Sequence, residues 1–179
     1  MWSELNLGPR LSQMERPELA YALGGLLIVQ GLAMLVDEFY FHHRRGLGRW
    51  ERIGHPVDTL MFMLALGVLL QSGWSLLSAS LAIFSALLVT KDEWVHRREA
   101  PAAEQWLHSI LFLLHGLILG LAGELGEQVV LSAGATLLLL APIGMFFFYQ
   151  VLYWQSWRLL RSKRPSHLSS SSGRSPHES

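Results

Sequence analysis

Four histidines in this chain each follow a carboxylate by four residues: Glu38–His42, Glu51–His55, Asp92–His96 and Glu104–His108. With 14 acids and eight histidines among 179 residues, chance gives roughly 0.6 such pairs, counted as matches to a template. At this spacing both side chains lie on one helix face, about one turn apart. Carboxylates bridge divalent ions and balance their charge, while neutral imidazoles fix the geometry. Eight such groups converging from four helices are the ligand set of a dinuclear metal centre. Asp58 and His115 extend two of the stripes, and Asp37, His43 and Glu93 lie beside them. The acids among these five are expected to orient the ligating imidazoles. Catalytic residues are not assigned at this level.

Imidazole and carboxylate without thiolate suit iron, manganese or zinc, and the chain has no cysteine. Two iron ions are the favoured cofactor. They imply oxidoreduction or hydroxylation, with dioxygen, of a lipid-like or quinone substrate. Soluble di-iron bundles use the same ligand types at a shorter Glu-x-x-His spacing, so the parallel is one of chemistry. A zinc centre would instead imply hydrolysis, with Glu93 as base. Haem fits less well, because bis-His ligation has little use for carboxylates. His115, the one histidine deep in an apolar run, reads equally as a core residue bonded to a serine or a carbonyl. Two further classes compete: a metal or proton transporter, and a membrane protein whose acid–His–Arg network only stabilises its loops. Transport would need polar residues through to the far side, where Gln30, Ser78, Ser80, Glu124 and Glu127 are the few candidates.

These residues must be positioned by apolar helices. The chain is 51% hydrophobic and 16% charged, against about a quarter charged in a soluble domain. Its net charge is zero, which argues against nucleic-acid binding. Runs free of Lys, Arg, Asp and Glu cover Leu19–Val36, Thr59–Thr90, Gln105–Gly123 and Gln128–Trp157. The second run is long enough for two spans and breaks at the turn-like Gln71–Ser75. Five transmembrane helices are therefore expected, near 18–43, 54–71, 75–97, 103–122 and 128–158, with a turn around Glu124–Glu127. Residues 1–16 form an N-terminal segment, 17–158 the membrane domain, and 159–179 a disordered Ser- and Pro-rich tail.

Loops one and three share a pattern. His43-Arg44-Arg45, Glu51 and His55 recur as His96-Arg97-Arg98, Glu104 and His108, at a constant offset of 53 residues. Two helices separate the copies, so the repeats (18–72 and 75–123) are parallel. They would make a pseudo-twofold four-helix bundle with the last helix outside it. In that last helix Pro142 and Gly144 are expected to allow a bend. Its aromatic end, from Phe146 through Tyr153, Trp154 and Trp157, reads as an interfacial belt. Twelve of 14 basic residues fall in loops one and three and the C-terminal segment. The positive-inside rule puts these in the cytoplasm and the N-terminus outside, in a bacterial plasma membrane. Arg44, Arg45, Arg97 and Arg98 are expected to set this topology and to touch anionic lipid phosphate.

Overall fold

The computed structural model describes residues 16–92, 101–129 and 131–162, with side chains at 17–91, 101–129 and 131–156. Every regular element among them is helical. Helix α1 (Arg16–Val36) runs on through a π-helical turn (Asp37–His42) and a last α-turn (His43–Arg45). Next come α2 (Arg49–Ser72), α3 (Leu76–Val89) with a 3-10 turn (Thr90–Asp92), α4 (Ala102–Gln128) and α5 (Ala133–Ser162).

Local chemistry explains the boundaries. Gly46 ends the first helical stretch at φ 77°, a left-handed conformation that glycine adopts without steric cost. The Glu51 carboxylate accepts from the Gly48 N–H at 2.8 Å, so α2 begins at Arg49, a turn before the expected 54. Ser75 caps α3 by accepting from the Ser78 N–H. Ser132 does the same for α5, accepting from Ala135.

Helices α2 and α4 form the centre; α1 packs on α4, while α3 and α5 pack on α2. Leu66, Leu69, Leu70, Ile118, Leu119 and Ala122, all nearly without exposure, fill the seam between the central pair. Glycines set its closeness at one end. A Cβ on Gly126 would lie 2.0 Å from the Leu69 carbonyl oxygen, and one on Gly123 would lie 2.3 Å from the Trp74 ring. Small residues admit such contact between helices where nothing larger fits.

Among the described residues, four stretches are long and apolar enough to cross a bilayer: Pro17–Arg45, Arg49–Ser72, Ala102–Gln128 and Ala133–Ser156. They are consistent with an integral membrane protein. The expected third span, 75–97, is α-helical among its described residues over the 14 residues Leu76–Val89. That is about 21 Å of helix, short of a bilayer core of about 30 Å. At its end the Thr90 hydroxyl donates to the Leu87 carbonyl, in the tighter 3-10 turn. Residues 93–97 lie outside the described residues.

The turn expected at Glu124–Glu127 is helical instead, and α4 continues to Gln128. Both acids are occupied there by the neighbouring loop. Glu127 accepts from the Trp74 N–H at 2.6 Å and Glu124 from the Trp74 indole at 3.2 Å. The last helix accordingly starts at Ala133, where 128 was expected.

This packing separates two glycines of one helix. Gly126→Ala forces a methyl group onto backbone and should cost about 1–3 kcal/mol, the usual range for overpacking. At Gly116 a Cβ meets nothing within 4 Å, so Gly116→Ala should be neutral or stabilising by up to about 1 kcal/mol through helix propensity. Thermal unfolding of both variants in detergent checks this; equal shifts in the midpoint would contradict the close approach.

Candidate metal centre

The centre is built around the π-helical turn. In an α-helix, residues i and i+4 share a face; a π-turn bonds i to i+5 and brings those two residues together. Asp37 thus stands over His42, with Oδ2 3.5 Å from Nε2. Glu38 stays close to the same ring, with Oε2 3.6 Å from Nδ1. Both acids therefore reach one imidazole, and both are buried with it.

Helix α4 supplies the other half. Glu104 sits in its first turn, where the helix dipole favours a carboxylate, and His108 follows one turn later. His42 Nε2 lies 3.5 Å from Glu104 Oε1. His108 Nε2 donates to Asp37 Oδ1 at 3.1 Å. One ligand atom from each of Asp37, His42, Glu104 and His108 falls within 4.8 Å of all the others, and all four residues are buried. Two imidazoles and two carboxylates at this spacing are able to hold a metal ion.

The surroundings divide the remaining acids. Arg45 reaches inward from the end of the first helical stretch, with Nη2 2.8 Å from Glu51 Oε1 and 3.0 Å from Glu104 Oε1. It is not committed to lipid phosphate, as expected from sequence, because two buried carboxylates on two helices bind it. Arg44 fits the expected surface role better: it is exposed and lies over the Tyr40 ring at 3.8 Å. Glu51, with Arg45 and the Gly48 N–H, fixes the start of α2. Glu38 accepts from the Trp154 indole at 2.6 Å. Trp154 is only 1% exposed, so it closes the wall of the centre and does not belong to the expected interfacial belt.

The other expected residues spread outward from this group. His55 lies beside it, its ring 4.8 Å from that of His42. His43 turns away, stacks on Tyr153 at 4.6 Å and donates to the Glu38 carbonyl. Asp58 pairs with Lys91. His115 shares a hydrogen bond of 3.0 Å with Ser85 and packs against Phe62, the serine-bonded core arrangement. Glu93, His96 and the Asp92 side chain lie outside the described residues.

Asp37, Arg45 and Trp154 are the residues whose position sequence spacing did not give. Only a π-turn puts Asp37 on the His42 face, and an α-helical template misses it. The doubled pattern Asp37-Glu38 followed by His42-His43 was the available signal, since it contains both the i+4 and the i+5 pairings. Comparison with known proteins gives no match: no family model, no curated protein and no solved structure aligns with the chain.

Removing one partner of a buried ion pair strands the other charge. Arg45→Met should therefore destabilise the fold by about 2–3 kcal/mol, on the low side for buried pairs because the guanidinium keeps some contact with water. The exposed Arg44→Met should change stability by less than about 0.5 kcal/mol. Thermal unfolding of the two variants tests the difference; matching midpoints would show that Arg45 does not tie the helices together.

Proposed function

We propose that this protein is an integral membrane metalloprotein in which Asp37, His42, Glu104 and His108 hold a divalent ion, iron being favoured. The proposed chemistry is oxidoreduction of a lipid-soluble substrate. The observation that carries the reading is the burial of two carboxylates and two imidazoles from two helices within one ligand-sized space. Two carboxylates buried side by side are costly even when hydrogen-bonded, and a bound cation offsets that cost. The donor set lacks thiolate, which favours iron, manganese or zinc over copper(I). A second ion would draw on Glu38 and His55, which border the group. Arg45 opposes a second cation on the side of Glu51, because its own positive charge already sits between Glu51 and Glu104.

The parallel repeat belongs to the same proposal. Glu51 and Glu104, 53 residues apart, share Arg45. Phe62 and His115 meet at 4.6 Å with the same offset. A Cβ on Gly126 would meet the backbone of its counterpart Gly73. The packing of α1 on α4 is mirrored by that of α3 on α2. Contacts between equivalent residues are what an axis between α2 and α4 produces. The concentration of arginines at the acid–His end favours a cytoplasmic position for it, with the N-terminus outside.

Metal analysis of protein purified in detergent from iron-replete cells is the direct test. At least about one ion per folded chain is expected, because a site preformed in the fold binds its metal on folding. Asp37→Ala and Glu104→Ala should each lower the content severalfold, while His43→Ala should leave it unchanged. Unaltered metal in both acid variants, or none in the parent protein, would return the cluster to a purely structural role. Metal movement into proteoliposomes, lost in the same variants, would favour transport over oxidoreduction.

A further inference from the structure

Helices α1 and α5 both pack against the central pair but have little contact with each other. Between them a cavity of about 580 Å³ runs from Gly24 and Leu138 to the acid–His end, where Asp37, His42 and His108 line it. Its size lies within the ordinary range for small-molecule sites, about 300–1,000 Å³. Its rim includes Ile28 and Leu138, which are 67% and 77% exposed, so it opens sideways between the two helices. On α1 the floor is kept clear by Gly24 and Gly31, where a Cβ would meet nothing within 4 Å.

Of the polar residues that line the cavity away from the acid–His end, Thr59 bonds to Gln150 and His115 to Ser85, and Gln30 differs from them. Gln30 lines the cavity at only 5% exposure, and its Oε1 has no hydrogen-bond partner among the described residues. A buried carbonyl left without a donor is unfavourable, so it marks where a ligand carries one. Gln30 lies seven residues before Asp37, about 10 Å along the helix axis. The walls also carry the rings of Phe62, Phe112 and Phe146, with Phe62 against His115 and Phe112 beside His108. Beyond Gln30, towards Gly24, they are aliphatic.

We propose that this cavity binds a quinol-type lipid. The flat ring sits among the phenylalanines, with one hydroxyl donating to Gln30 Oε1 and the opposite oxygen facing the Asp37–His108 end. The apolar tail follows the aliphatic part of the cavity and leaves between α1 and α5. A plain acyl chain fills the same volume but leaves Gln30 unsatisfied, which is why the ring is preferred. The proposal rests on the membrane reading above and names the substrate class for the proposed centre.

The test uses the full chain in lipid nanodiscs, with decylubiquinol as probe under anaerobic conditions. Quinol retained above that in empty discs is measured by liquid chromatography, and bound metal is measured on the same samples. Saturable retention is expected, with apparent affinity about tenfold weaker for Gln30→Leu, the loss of one buried hydrogen bond. Gly31→Phe, which fills open space and leaves the packing between helices alone, should abolish retention. No retention by the parent, parental retention by both variants, or equal displacement by hexadecanoic acid would each overturn the proposal. Lost quinol with metal intact condemns the cavity assignment alone. Retained quinol without metal supports the cavity and condemns the metal centre.

Discussion

Asp37, Glu38, His42, Glu51, Glu104 and His108 are each no more than 6% exposed, at one end of a bundle otherwise cored by leucine. A carboxylate without partners in such surroundings costs several kcal/mol, so the neighbouring structure has to answer each of them. Arg45 answers Glu51 and Glu104 together. The Gly48 N–H takes the other oxygen of Glu51, the Trp154 indole takes Glu38, and His108 donates to Asp37. These contacts draw in the end of the first helical stretch, the starts of α2 and α4, and the far part of α5. Electrostatic need therefore joins four parts of the chain at this end, where apolar packing alone would leave them free to slide.

The opposite end is held by different physics. There the central helices touch through glycine, with Trp74 packed over Gly123 and hydrogen-bonded to Glu124 and Glu127. Gln71 crosses to the Leu131 carbonyl and to Thr136, tying α2 to the start of α5. With both ends fixed and α5 bound chiefly to α2, the space between α1 and α5 stays open. The cavity is thus a consequence of how the outer helices are attached, and it leads to the acid–His end, where Asp37, His42 and His108 line it.

The helical class was legible from composition and from the apolar runs, because helix formation in an apolar run is a local matter. Glu104 and His108 were legible through their i+4 spacing, and so was the pairing of Glu38 with His42. Where the reading departed, the missing information was long-range. Glu124 and Glu127 looked like a polar turn, yet Trp74, some 50 residues away in sequence, lets them remain helical. Trp154 looked like an interfacial aromatic until Glu38, 116 residues distant, took its indole N–H. Arg45 resembled its neighbour Arg44 in every local respect, and only the meeting of α2 with α4 distinguishes the two.

By itself, then, the sequence determined the residue types of the acid–His end, their placement near helix ends, and the apolar length of the long helices. Each follows from periodicity and hydropathy within one segment. The tertiary structure decided which of the acids faces which imidazole. The π-turn at Asp37–His42 shifts the register by one residue, and no local propensity in that stretch calls for it. What stabilises it is the contact it makes possible, of Asp37 with His42 and His108 across two helices. Burial of charge is a property of the assembled bundle, and the geometry of its polar end follows from that.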